Sequence, residues 1–401
     1  MLSYQQALDC LFHTPMRTLS ERVPITQAGG RTVASDLVAP YPMPPFDQSL
    51  MDGYAVRSAA TRLAATARPR RFTLELTLTA GEVATEPVPP GQAVRIMTGA
   101  PMPPGTDAVI KVEDGELEAG ALVVRQPVSR GQFVQRRGAE VRQQTVIVRI
   151  GERLTPQRIG MALALGLDHV EVRRRPRLAF VAPGDELLAP GAPLQPGKKW
   201  CSNLYALEAR ARELDCETLN LGIVPDTLDG LMTALRQGLA ADTDILMILG
   251  ASGQGDHDFA GRAMTEIGAE VLFRGVAMVP GRGTVVARRD QTLIFGLPGS
   301  PWATFVTFET LVQPLLQTRL GQRAEPLVTA RLEAEVRLRP GLTHIIPVRL
   351  QASGASWLAT PLRALLPVAQ AESDGLGWIA VPPHRRQLTR GAQVRVHRCY
   401  P

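Results

Sequence analysis

Apolar positions recur at helical spacing from Tyr4 to Phe12, which predicts a short amphipathic helix, and a strand-turn segment follows over Arg22 to Ala34. The run Pro40-Tyr41-Pro42-Met43-Pro44-Pro45 breaks this pattern, because proline fits neither a central strand nor a helix interior. From Phe46 to about Glu140 the chain changes to short alternating runs: Phe72 to Leu78, Gln92 to Ile96 and Ala121 to Val124. Pro89-Pro90-Gly91 and Pro103-Pro104-Gly105 punctuate them, and a small β-rich domain is expected. A helical stretch from Pro156 to Leu167 returns to the style of the N-terminus. It is expected to pack with it, leaving the β domain as an insertion.

From Arg177 the rhythm becomes strand, helix, strand, helix. Leu178 to Ala182, Glu217 to Leu221 and Asp244 to Leu249 read as strands, and Leu204 to Leu214, Leu228 to Ala240 and Asp258 to Ile267 as helices. Short apolar runs alternating with helices argue for a mainly parallel sheet, whose ligands bind at the carboxyl ends of its strands. After Gly321 the pattern is β again: Leu332 to Val336, His344 to Leu350, Trp378 to Val381 and Val394 to Val396.

Composition narrows the class. The 401 residues are 45% hydrophobic and 20% charged, which is neither a disordered nor a membrane composition. No apolar run reaches the ~18 residues of a spanning helix. The four cysteines lack a C-x-x-C spacing, excluding a zinc ribbon and a disulfide scaffold. A soluble, cytoplasmic, multidomain protein is expected. The net charge of +6 rests on arginine, since Lys111, Lys198 and Lys199 are the only lysines among 44 basic residues. Arginine grips forked anions, but with aromatics at 5% and the basic residues scattered, nucleic acid is a poor partner candidate.

Several segments could carry chemistry. Phe46 to Val56 crowds Asp47 and Asp52 beside Gly53, where a simple Asp-Gly turn is the plainer reading. Arg95 to Pro101 ends a strand with Thr98 beside Gly99, which suits either a phosphate or a turn. Three strand ends in the α/β region carry polar groups: Pro183 to Leu187, Leu249 to Asp258 and Phe295 to Pro301. Glycine-rich strand-to-helix turns are ready anion sites. Glu186, Asp256 and Asp258 offer hard oxygen ligands of the kind Mg²⁺ takes beside phosphates. His257 reads either as a ligand or acid-base group or as an ordinary loop residue.

Together these segments resemble the molybdopterin molybdenumtransferase family (MoeA, and the E domain of gephyrin). The family's F-D-N-S-x-M-D-G-Y-A matches Phe46 to Ala55, with Gln48 differing, and its I-M-T-G-A-P-x-P-x-G-x-D-A-V matches from Ile96. G-D-E-L stands at Gly184 to Leu187, S-N at Ser202-Asn203, L-G-I-V-x-D at Leu221 to Asp226, and G-L-P-G-N-P at Gly296 to Pro301 with Ser300 for Asn.

The resemblance implies a multidomain α/β plus β fold. An elongated N-terminal domain (1–45 and 141–175) carries an inserted β-rich domain (46–140). An α/β molybdopterin-binding domain with a mainly parallel sheet (176–322) and a C-terminal β barrel (323–401) follow. It also implies a homodimer with its site between subunits. The implied activity is insertion of molybdate into adenylylated molybdopterin with release of AMP, assisted by Mg²⁺. A molybdopterin adenylyltransferase and recipient molybdoenzymes are the implied partners. By position, Asp52, Thr98, Glu186, Asp226 and Asp258 fall on catalytic places, and Glu186, Asp226 and Asp258 on metal ligands. Ser252, Gly255, Arg282, Pro298, Gly299, Ser300 and Pro301 fall on cofactor-binding places.

The chain also departs from the pattern. Gly253 replaces a serine, Val279 and Arg282 replace lysines, and Glu140 replaces an aspartate. Leu342 and Pro347 replace arginines of the C-terminal domain. A lost cationic contact to phosphate or pterin removes about 1.5–3 kcal/mol. A second reading is therefore a non-catalytic or altered-specificity paralogue that binds molybdopterin, the molybdenum cofactor or a partner protein.

Overall fold

The computed structural model describes residues 1–250, 259–322, 326–354, 356–362 and 375–399. The helix Tyr4–His13 begins in a capping box, Ser3 and Gln6 each satisfying the other's backbone N–H. Its buried face of Ala7, Leu8 and Leu11 joins the core around Phe180, Phe295 and Leu315. The helix Pro156–Ala164 packs elsewhere, in a core with Ile25, Val33, Leu37 and Leu154. The expected union with the N-terminal segment thus involves residues 25–37, while the first helix docks on the α/β layer. Amphipathic spacing defines an apolar stripe but not its partner. The strand Ser20–Pro24 pairs antiparallel with His169–Arg173, and Leu37–Val38 with Val146–Val148, so the chain leaves and returns at one place.

Between those pairings lies a six-stranded sheet. Its order is Ala108–Lys111, Gly53–Val56, Gln92–Ile96, Arg70–Leu78, Ala121–Val124, Glu116–Glu118. Gly53 is required there, since a Cβ on it would stand 1.9 Å from Ile110 O.

The α/β sheet contains β1 (Arg177–Pro183), β2 (Glu217–Val224), β3 (Ile245–Leu249), β4 (Glu270–Arg274), β5 (Val285–Arg289) and β6 (Thr292–Leu297), in the order β2-β1-β3-β6-β5-β4. The first four in that order are parallel, and β5 and β4 add antiparallel. Helices Asn203–Glu213 and Leu228–Ala240 supply parallel crossovers. β3 is buried at every residue, which explains its uninterrupted apolar run.

The last sheet closes. Thr343–Ser353 pairs with both Ser356–Pro361 and Leu376–Val381, and Val328–Leu332 and Gln393–Arg398 complete a five-stranded barrel. Val348, Leu350, Ala359 and Val396 fill it. Met278–Val279, in the connection from β4 to β5, adds parallel to Thr343–His344.

Candidate active site

Parallel strands end their backbone ladders on one edge, and here the turns after β1, β2, β3 and β6 meet. Gly184 opens the first turn. A Cβ on it would lie 2.7 Å from Glu186 Oε2 and 2.9 Å from Leu187 Cγ, so glycine is what lets the chain fold back under Glu186. Gly184 N donates to Val224 O at 3.1 Å and Asp226 N to Asp185 Oδ1 at 3.3 Å, tying the turns after β1 and β2 together. Gly299 lies against Gly250, where a Cβ on it would make van der Waals contact with Gly250 Cα at 3.4 Å.

A cleft of about 180 Å³ results, with Glu186, Asp226, Lys199, Trp200, Gly299 and Pro301 among its walls. Asn203 braces one wall: its Nδ2 donates to Gly299 O at 2.8 Å and to Thr304 Oγ1 at 3.2 Å. Thr304 Oγ1 also bonds Pro298 O and Ser300 O, so the turn Pro298 to Pro301 is held at the start of the helix Pro301–Thr307. Glu186 Oε1 lies 3.2 Å from Lys199 Nζ. Burial pushes the thiol of Cys201, another wall residue, up from its ordinary range.

The structure brings Glu186, Asp226, Gly299 and Pro301 into this cleft, with Pro298 and Ser300 in the same turn. Ser252, Gly253, Gly255, Asp256, His257 and Asp258 lie outside the described residues. Among the described residues no group of three His, Cys, Asp or Glu could hold a metal ion, so Glu186 and Asp226 are the carboxylates in view. Arg282 is exposed beyond Val279, in the connection to β5, and is not among the cleft walls. Asp52 and Thr98 are not among them either. They face each other in the inserted sheet, where Thr98 N and Oγ1 both donate to Asp52 Oδ1 at 2.7 Å. Those two bonds hold the Asp52 carboxyl below its ordinary range.

Sequence reasoning did not single out Lys199 or Trp200, which form a two-residue strand beside Leu187–Leu188. Their signal was compositional: two of the chain's three lysines are adjacent there, next to one of four tryptophans.

Comparison with known proteins decides the family. Residues 2–166 match the MoeA N-terminal region (domain I and II), and residues 179–318 match a probable molybdopterin binding domain. A molybdopterin molybdenumtransferase of Synechococcus elongatus is similar at 31% identity over 404 residues, covering 99% of both chains. That of Bacillus subtilis is 35% identical over 319 residues, covering 79% of this chain and 74% of its own. This chain belongs to the molybdopterin molybdenumtransferase family. A solved MoeA protein of a Pyrococcus species superposes with a TM-score of 0.90 at 30% identity over the whole of both chains. A second, from Pyrococcus horikoshii, gives 0.79 at 26% over 99% of each.

In this molybdopterin molybdenumtransferase family member, Val279 lies in the connection from β4 to β5. Val279 is exposed and its backbone is engaged with the barrel strand at His344. Lys199 stands at the cleft itself.

Proposed function

We propose that this chain inserts molybdate into adenylylated molybdopterin in the cytoplasm, cleaving the phosphoanhydride and releasing AMP. The observation that carries this reading is the carboxyl-edge cleft, where Glu186 and Asp226 flank the turn that Asn203 holds at a helix start. Backbone N–H groups at such a start favour an anion.

The donor set suits Mg²⁺, which is commonly bound through one or two carboxylates together with substrate phosphates. Glu186 and Asp226 would hold it, with Asp258 as a third ligand. Once bound, the ion would neutralise phosphate charge. The chain's own contribution is to fix those carboxylates through Gly184 and the Asp226–Asp185 bond, and to present the Pro298–Pro301 turn in one geometry. Ser252, Gly255 and Arg282 complete the proposed cofactor-binding set.

Asp52 and Thr98 lie in another sheet, and we assign them to the cleft of a second copy, which makes the working unit a homodimer. The corresponding division of the chain is 1–45 with 141–175, 46–140, 176–322 and 323–401. The substrate would come from a molybdopterin adenylyltransferase and the product pass to molybdoenzymes. The test incubates the protein with adenylylated molybdopterin, Mg²⁺ and molybdate and follows AMP. Turnover is expected, with loss in Glu186→Gln and Asp258→Ala. Mixing refolded Glu186→Gln and Asp52→Ala chains should restore part of the activity. No AMP from the folded wild-type protein would overturn the reading.

A further inference from the structure

Aromatic side chains are scarce in this protein, and Trp200 is placed unlike the other tryptophans. Trp302, Trp357 and Trp378 are half-buried or buried, whereas Trp200 is 49% exposed on the wall of the cleft. Its one polar atom is already used: the indole Nε1 donates to Ala192 O at 2.9 Å. What remains for recognition is the ring's π surface. The ring stands on a fixed base, since Lys199 N donates to Glu186 O and Cys201 N to Leu188 O, both at 2.9 Å. Lys199, the preceding residue, is the one cation among the described cleft walls, and it is held 3.2 Å from Glu186. A carboxylate engaged by a cation elsewhere would free that ammonium for an anion.

We propose that Trp200 and Lys199 together grip the substrate, the indole stacking on its planar nitrogen heterocycle and the ammonium binding the phosphate attached to that ring system. This rests on the reading above, whose substrate carries two such rings, an adenine and a pterin. A flat heterocycle stacks on an exposed indole whatever its hydrogen-bonding edge. Phosphate adds a charge-assisted bond to the ammonium.

The test is calorimetric binding of AMP, neopterin monophosphate and ribose 5-phosphate, each with Mg²⁺, to the full chain and its variants. Trp200→Leu should weaken the ring-bearing ligand roughly ten-fold and leave ribose 5-phosphate unaffected. Trp200→Phe, which keeps a π face but not the bond to Ala192, should bind like wild type. Lys199→Gln should weaken all phosphate ligands that bind, by an amount that shrinks as salt rises. Whichever of AMP and neopterin monophosphate responds to Trp200→Leu names the ring. The proposal is overturned if Trp200→Leu binds as wild type does, or if Trp200→Phe fails equally, which would make the indole a brace for the 189–198 loop. In either case wild-type binding of AMP leaves the functional reading standing. Absence of wild-type binding to both ring ligands would remove that reading together with the grip.

Discussion

Arg210 and Glu309 form a buried two-pronged ion pair, with Nε and Nη2 of the guanidinium 2.8 and 3.1 Å from the two carboxylate oxygens. The same guanidinium donates to Cys399 O, so one side chain joins the helix Asn203–Glu213, the π turn Phe308–Val312 and the end of the last barrel strand. Burial pushes the Glu309 carboxyl up, and the guanidinium opposes that. Arg210→Met strands the carboxylate and should cost about 3–5 kcal/mol in urea unfolding. Arg210→Met with Glu309→Leu should recover much of the loss, because well-packed apolar residues often replace a buried pair at little cost. An unchanged midpoint in the single variant would show that the pair contributes no net stability.

Asp52 should titrate below the ordinary carboxylate value of about 3.9, because Thr98 N and Oγ1 both donate to its charged form. A depressed folded pKa means that the linked stability is present above the unfolded value and is lost as pH falls through the folded one. Thr98→Val removes one donor and should move the Asp52 carbon resonance titration upward. A titration midpoint insensitive to that change would remove Thr98 Oγ1 as a cause.

Gly53→Ala tests the inserted sheet. A Cβ would stand 1.9 Å from a backbone oxygen of the neighbouring strand, a collision no rotamer relieves. The variant should lose at least the 1–3 kcal/mol typical of overpacking, and limited proteolysis should cut first between about residues 53 and 124. A wild-type cleavage pattern would contradict the close strand approach.

His397 lies with its ring 3.8 Å from that of Trp378 and nearly parallel to it, and burial lowers its pKa to about 4. The unfolded value is about 6.5. Between the two, the unfolded chain binds the proton more readily, so stability should fall as pH drops from about 6.5 toward 4 and be indifferent to this group above that window. Tm measured against pH for wild type and His397→Phe should converge in slope above pH 6.5 and diverge below it. Parallel curves throughout would assign acid sensitivity to other groups.

Much of this layout was legible because burial writes itself into the residue pattern. The helix Leu228–Ala240 and the apolar run of β3 follow directly from apolar spacing. Glu186 and the Pro298–Pro301 turn were legible as strand-end polar groups in an α/β rhythm, whereas Asp226 was reached only through the family's L-G-I-V-x-D motif. Longer-range choices were not. The stripe Ala7, Leu8, Leu11 does not say which core it joins. The π geometry of Phe308–Val312 leaves no mark in the apolar spacing and shows only in the structure. Trp200 and Lys199 escaped because a two-residue strand has no period, and their place depends on pairing with Leu187–Leu188. Asp52 and Thr98, 46 residues apart, meet only because Gly53–Val56 and Gln92–Ile96 are neighbours in the inserted sheet.

The short strand Met278–Val279 works as a seam. Leu2 N donates to Gly275 O and Ala277 N to Leu2 O, while Thr343 N donates to Ala277 O. Two distant stretches of chain, at Leu2 and at Thr343–His344, are laced to five residues of one connection. Torque applied to the barrel would reach the carboxyl edge of the α/β sheet through backbone hydrogen bonds rather than dissipate in a slack linker. The barrel is thus a buttress, anchored to the α/β layer through the same connection that holds the amino-terminal segment.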